Sequence, residues 1–138
     1  MSLFRTKSLA ASPHALRGPA IRAAAVQALL AAGREDLHYR EWYDLLVRNG
    51  HEVAGKDPLA VFLTQLGRSP VVRRGQRPGH YALDRDAPAR LRRRLDRLHR
   101  EYLQVTRAQR TRVTAEIART EKQLDEAADA LQGLQHAA

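Results

Sequence analysis

The residues of this chain with the clearest chemical potential are its arginines. Lys and Arg together number 24 against 15 Asp and Glu, which gives a formal net charge of +9. Most of these cations are arginines, and a planar guanidinium matches phosphate oxygens and base edges better than a lysine ammonium does. A positive surplus of this size favours a polyanion, and above all nucleic acid, as the binding partner.

This positive charge is unevenly distributed along the chain. The net charge is +5 over residues 1–86, +7 over residues 87–112 and −3 over residues 113–138. We therefore expect an electrostatic binding surface in the first two segments and not at the C-terminal end. The alternative is that arginine replaces lysine on an ordinary solvated surface, where the charge only favours solubility.

Residue types that carry out catalysis or bind metals are poorly represented. With no Cys, the chain has neither disulfides nor thiolate zinc ligands. The glycine-containing stretch 75–79 is too short for a phosphate-binding loop and lacks the Lys-Ser/Thr that follows one. The six histidines have no metal-ligand spacing and no nucleophile to activate; they are His14, His38, His51, His80, His99 and His136. We expect no enzymatic activity, no cofactor and no metal site.

Three helices are predicted between residues 16 and 68. Pro19 suits the first turn of a helix whose apolar residues recur at helical spacing until Gly33. A second helix carries Trp42 on its apolar face and ends at Asn49-Gly50. A third begins at Asp57-Pro58, where the carboxylate caps a helix that starts with proline.

Short strands complete this region. Residues 37–39 are compatible with a strand, and residues 71–74 and 80–83 form two more, separated by a five-residue turn. The order helix, strand, helix, helix, strand, strand is typical of a winged helix-turn-helix. Its third helix would enter a groove, and its hairpin would form a two-stranded wing.

The C-terminal region has the pattern of a long helix. Residues 89–135 contain no Pro and only Gly133, and two heptad seams predict a coiled coil. The residues expected to hold two copies together are Leu91, Leu95, Leu98, Tyr102, Val105, Val113, Ile117, Leu124, Leu131 and Leu134. A polar stutter at residues 106–112 leaves an alternative, a turn that folds the two segments into a helical hairpin, but the absence of Gly and Pro there favours one continuous helix. The strand direction of the coiled coil stays open.

The predicted organisation is mainly helical, with an α+β head. Residues 1–15 form an N-terminal arm, residues 16–86 the winged helix domain, and residues 87–138 the coiled-coil helix that makes a homodimer. Arg5 and Lys7 of the arm could reach a phosphate backbone, although an inert tail is equally compatible with the sequence. No apolar run approaches the ~20 residues of a membrane span, and we expect a bacterial cytoplasmic protein associated with the nucleoid.

Several short motifs in residues 21–83 resemble those of the HARE-HTH family of winged helix domains. They are Leu37-His38-Tyr39-Arg40-Glu41, Gly55-Lys56-Asp57-Pro58, the run from Leu63 to Leu66, and Gly79-His80-Tyr81-Ala82-Leu83. Asp57 and Trp42 depart from the residues usual in the family. The family occurs in the delta subunit of bacterial RNA polymerase, in some restriction endonucleases and in chromatin regulators. The resemblance implies a winged helix in a transcription or nucleic-acid setting, with no catalytic residue.

The candidate DNA contacts lie on the third helix, on the wing and on the start of the last helix. Gln65 could pair with adenine, Arg68 with guanine, and Thr64 with phosphate or a thymine methyl group. The arginines of the wing suit phosphate or minor-groove contacts. The full predicted set is Lys56, Thr64, Gln65, Arg68, Arg73, Arg74, Arg77, His80, Arg90, Arg93 and Arg94.

The function that this pattern predicts is DNA binding with modest sequence preference. A dimer with two heads would act as a transcriptional regulator or a nucleoid-associated protein. The main alternative is a protein-interaction adaptor of the transcription machinery, docked on RNA polymerase or another protein. Filament assembly through the coiled coil is a further alternative.

Overall fold

The structure is a computed structural model that describes residues 13–137, without the side chains of residues 107, 108 and 133–137. Two compact units divide the chain after Leu83. We call residues 13–83 the head and residues 84–137 the helical hairpin. The predicted class is confirmed at the level of a mainly helical protein with a small antiparallel sheet. None of the described helices is both long enough and apolar enough to span a membrane.

Three helices build most of the head. They are α1 (Pro19–Ala31), α2 (Tyr39–Arg48) and α3 (Pro58–Arg68), close to the predicted positions. The Asp57 carboxylate accepts a hydrogen bond from the Ala60 amide at 3.2 Å, so the predicted cap of α3 is present. The imidazole of His38 caps α2 in the same way, by accepting from the Arg40 amide at 3.2 Å.

The three predicted strands of the head form one antiparallel sheet. They are β1 (Asp36–His38), β2 (Val72–Arg74) and β3 (His80–Leu83), with β3 in the centre. Leu37 lies opposite Tyr81 in one pair of strands, and Arg74 lies opposite Tyr81 in the other. The β2–β3 hairpin is therefore held on one side by β1, which joins it directly to the start of α2.

A single core connects the helices of the head. Trp42 of α2 is completely buried, and its indole N–H donates to the Ala25 carbonyl of α1 at 2.9 Å. The ring of Tyr43 packs edge-on against Phe62 of α3, with centroids 5.6 Å apart. The fully buried large side chains of the head are Trp42, Phe62, Ile21, Leu29, Leu46, Leu66, Val26 and Val71.

The N-terminal edge of the head lies before the predicted boundary at residue 16. Ala15 is buried, and Leu16 pairs with Val53 in an isolated parallel bridge. The Leu16 amide donates to the Glu52 carbonyl at 2.7 Å, and the Ala54 amide donates to the Leu16 carbonyl at 3.0 Å. Ala15, the last residue of the predicted arm, therefore belongs to the fold, while Arg5 and Lys7 lie outside the described residues.

The prediction of one continuous C-terminal helix is wrong. The helical hairpin consists of α4 (Ala87–Tyr102) and α5 (Arg107–Ala137), which pack against each other. The four residues between them, 103–106, form a turn. Two helices joined by such a short turn and packed together run antiparallel.

The break between α4 and α5 has a local cause that needs neither Gly nor Pro. The Thr106 carbonyl accepts from the amides of Gln109 and Arg110 at 3.0 and 3.1 Å, which starts α5. The Gln109 side chain reaches back and accepts from the Thr106 amide at 3.4 Å. This is one half of a capping box, in which Thr and Gln three residues apart start a helix. The predicted polar stutter is a helix start.

The heptad seams predicted to join two copies are used within one chain. Leu91, Leu95 and Leu98 of α4 are buried, as are Val113, Leu124 and Leu131 of α5. Tyr102, Val105 and Ile117 are half-buried, and the side chain of Leu134 lies outside the described residues. The apolar face of α4 is covered by α5, so the seam pattern no longer requires a second copy.

Candidate nucleic-acid interface

The exposed face of α3 carries small side chains between two cations. Ala60, Thr64, Gly67 and Arg68 are exposed, and so is Lys56 just before the helix. Phe62 and Leu66 are buried on the opposite side, with Leu59 and Leu63 half-buried. Because these side chains are short, the backbone of this face of α3 can come close to a flat surface or enter a groove of a partner.

Gln65 does not belong to this exposed face as predicted. Its side-chain oxygen accepts a hydrogen bond from Nη1 of Arg22 on α1 at 2.7 Å, and the pair is partly buried. A bidentate contact from Gln65 to adenine would first have to break this bond. Gln65 instead ties α3 to α1, and this contact joins residues that are 43 positions apart in the sequence.

The arginines of the β2–β3 hairpin are exposed. Arg73 and Arg74 on β2 and Arg77 in the turn all reach solvent. Because opposite residues of paired strands share a face, Arg73 lies on the side of Ala82 and Arg74 on the side of Tyr81. The two arginines therefore extend from opposite faces of an edge strand, as strand alternation predicts.

His80 is positioned by Asp36 of β1. The His80 Nδ1 atom lies 2.8 Å from the Asp36 carboxylate oxygen, and the imidazole is largely covered. The His38 ring packs edge-on against His80, with centroids 5.5 Å apart, and stacks on Tyr39. His80 thus anchors the hairpin to β1, and the sequence-based assignment of His80 as a direct DNA contact receives no support from this position.

The turn of the hairpin has a defined shape. The amide of His80 donates to the Arg77 carbonyl at 3.1 Å, and Gly79 has a φ of 75°. Pro followed by Gly at positive φ is the pattern of a type II turn. The residues from Arg74 to Tyr81 line an open groove of about 320 Å³, with two arginine side chains at its border. A groove of this kind is suited to an anionic group.

The arginines of α4 form a separate positive surface in the helical hairpin. Arg93 and Arg94 are exposed, whereas Arg90 forms an ion pair with Asp84 at 2.5 Å. The other exposed cations of this helix are Arg92, Arg97 and Arg100. Part of the positive charge assigned to Arg90 is therefore neutralised locally, while the remaining cations face solvent.

Two residues that position the interface were missed by sequence reasoning. Arg22 holds Gln65, and Asp36 holds His80. Both partners are more than 40 positions away in sequence, so no local spacing could reveal them. Arg40 is a further exposed cation, whose guanidinium lies 5.6 Å from the Tyr39 ring centroid at the start of α2.

The described residues contain no group of three or more His, Asp or Glu side chains arranged to hold a metal ion. The arrangement that stands out chemically is cationic: an exposed helix face and an exposed hairpin in the head, and an arginine-covered helix in the second unit. Comparison with protein-family models, curated proteins and solved structures finds no match to this chain.

Proposed function

We propose that this protein binds DNA, and that its head is a winged helix-turn-helix. In this proposal α3 enters a groove of the duplex and the β2–β3 hairpin is the wing that contacts the backbone. The protein would act as a transcriptional regulator or a nucleoid-associated protein. The resemblance of residues 37–41, 55–58 and 79–83 to the HARE-HTH family supports the same assignment.

One observation carries this proposal. Residues 58–83, which include α3 and the hairpin, contain four arginines and no Asp or Glu. All four arginines are exposed, and within the described residues none of them forms an ion pair. Cations held in the open on a helix and its neighbouring hairpin are the charge pattern that phosphate contacts require.

The chemistry of α3 favours modest sequence preference. Ala60 and Gly67 have no side-chain donor or acceptor for base edges, and Gln65 is already bonded to Arg22. Thr64 and Arg68 remain as the exposed side chains that can read the groove, Thr64 through a thymine methyl group and Arg68 through guanine. Affinity would therefore come mainly from phosphate contacts, to which the exposed arginines of α4 add.

The proposal is tested by the salt dependence of binding to a short random-sequence DNA duplex. The test variant carries Arg68→Ala, Arg73→Ala and Arg77→Ala. The matched control carries Arg48→Ala, Arg119→Ala and Lys122→Ala, which removes the same charge from exposed positions outside the proposed interface. We expect log K to fall linearly with log salt for the wild type. In the test variant the slope should become shallower by about 0.9 for each phosphate that the protein no longer neutralises.

Two results would contradict this assignment. Equal weakening by the control variant would mean that net charge, and not the surface of α3 and the hairpin, attracts DNA. No binding by the wild type at low salt would overturn DNA binding itself and would favour docking on a protein of the transcription machinery.

A further inference from the structure

The side-chain amide of Gln65 is held in one orientation by a residue of another helix. Nη1 of Arg22 on α1 donates a hydrogen bond to Oε1 of Gln65 at 2.7 Å. A guanidinium carries donors and no acceptor, so the oxygen of the amide, and not its nitrogen, must face Arg22. The acceptor atom of the Gln65 side chain is therefore turned toward α1.

The nitrogen of the same amide stays available to a partner, although Gln65 as a whole is half-buried. Among the described residues, Nε2 of Gln65 donates no hydrogen bond to the protein, and no buried side-chain nitrogen or oxygen lacks a partner. Nε2 must therefore reach solvent, where it offers two N–H donors.

Arg68 lies next to this donor on α3. Gln65 and Arg68 are three positions apart, so their side chains are neighbours on the helix surface. Arg68 is exposed and forms no ion pair with another described residue. Because a guanidinium also carries only donors, Gln65 and Arg68 together present donors, and no acceptor, to an approaching partner.

A surface of donors discriminates between bases in the major groove of DNA. Guanine presents two acceptors there, N7 and O6, whereas adenine presents the acceptor N7 and the donor N6. A glutamine reads adenine with both ends of its amide, by donating to N7 and accepting from N6. While Arg22 holds its oxygen, Gln65 can donate to guanine but cannot make the adenine pair.

We propose that Arg22 determines the base preference of α3, by holding Gln65 as a donor that favours guanine over adenine at the base pair it contacts. Arg22 is a positioning residue, since it acts through Gln65 and needs no contact with a base. The inference rests on the proposed binding of DNA by α3. It assigns the choice of base to a residue of α1 that lies 43 positions from Gln65 in the sequence.

Selection of bound duplexes from a random-sequence DNA pool tests this inference. Gln65→Ala identifies the base pair concerned, because the preference at that pair should disappear. The wild type should select guanine there. Arg22→Met leaves both ends of the Gln65 amide available, so the ratio of adenine to guanine should rise roughly tenfold, within the range of one bidentate contact.

Two further variants separate positioning from charge and stability. Arg22→Lys retains a donor and a positive charge, so it should retain the preference for guanine. Arg48→Met removes the same charge as Arg22→Met from an exposed position of α2, and it should leave the preference unchanged. Loss of charge or of folded protein weakens binding to all sequences alike, whereas loss of positioning changes the base that is selected.

Three results would overturn the inference. They are selection of adenine by the wild type at this base pair, an unchanged preference in Arg22→Met, and an unchanged preference at every base pair in Gln65→Ala. The first and the third do not depend on the stability of the Arg22 variant. No binding by the wild type at low salt would overturn DNA binding as well, whereas duplex binding without these changes in preference would overturn this inference alone.

Discussion

The head and the helical hairpin are stabilised in different ways. The head buries Trp42 and Phe62, and its helices meet through contacts between distant residues, such as the indole of Trp42 with the Ala25 carbonyl. In the helical hairpin, the described buried residues are Leu, Val, Ala and one Thr along two helices. The head therefore has a core to which several helices contribute, whereas the helical hairpin has a single row of buried contacts between two helices.

This difference in packing is matched by a difference in how charge is used. Asp36 of the head holds His80 in place, and Gln65 is held by Arg22. In the helical hairpin, the arginines of α4 cover a surface with few such partners; Asp84 pairs with Arg90, and Arg110 lies over the Tyr102 ring at 5.6 Å. The head can therefore position polar side chains individually, whereas α4 offers charge density.

The largest expected effect is on the core of the head. Trp42→Ala removes a fully buried indole together with its hydrogen bond to the Ala25 carbonyl, which should lower the free energy of unfolding by about 3–5 kcal/mol. Urea unfolding followed by circular dichroism measures the change. The control is Val47→Ala, at a partly exposed position, which should shift the free energy of unfolding by no more than ~0.5 kcal/mol. Equal urea midpoints for the two variants would contradict the burial of Trp42 in the core of the head.

A smaller effect is expected in the single seam of the helical hairpin. Leu95→Ala should cost about 2–3 kcal/mol, at the low end for a buried leucine, because only one layer of side chains surrounds it. Arg97→Ala, exposed on the same helix, is the control. Sedimentation equilibrium on both proteins should give a monomer, since α4 and α5 cover each other. If the protein is instead a dimer, and if Leu95→Ala weakens that dimer, the leucines of α4 pair between two copies of the chain.

A glycine pair tests the shape of the β2–β3 hairpin. An alanine Cβ at Gly79 would require positive φ and would lie 2.6 Å from Nε2 of His38, so Gly79→Ala should cost about 1–3 kcal/mol. Gly67→Ala has open space around its Cβ within α3, and it should stabilise the head by up to ~1 kcal/mol. Thermal unfolding compares the two. We expect Gly79→Ala to lower the melting temperature and Gly67→Ala to raise it. An unchanged melting temperature for Gly79→Ala would contradict the turn geometry.

The smallest effect concerns Tyr43. Because its pKa is raised above the usual value of about 10, the folded state holds the phenol proton more tightly than the unfolded state does. This contribution to stability is present below about pH 10 and is lost as the pH rises through the raised pKa. Tyr43→Phe should therefore reduce the loss of stability between about pH 9 and pH 11, measured as urea midpoints. Parallel curves for wild type and variant would argue against a raised pKa of Tyr43 in the folded state.

Much of the head could be predicted because its signals are local. The Asp57-Pro58 start of α3 depends on adjacent residues, and so does the Pro-Gly turn before β3. Helical spacing alone predicts that Trp42 lies on the apolar face of α2. The partners of Gln65 and His80 could not be predicted, because they come from elements more than 40 residues away.

The helical hairpin shows the limit of periodicity. A heptad pattern states which face of a helix is buried, and it does not state whether the covering helix belongs to the same chain. The Thr106 and Gln109 capping pair was present in the sequence, but its effect competes with the helical propensity of the flanking residues.

The sequence by itself determined the positions of the helices and strands in the head, the buried leucines of α4 and the surplus of arginine. These follow from capping, turn chemistry and spacing, which act over a few residues. Only the tertiary structure decided that α4 and α5 cover each other, that Gln65 is held by Arg22, and that His80 is held by Asp36. Each of these contacts joins residues that are far apart in the sequence, so it depends on how the whole chain folds and not on local spacing.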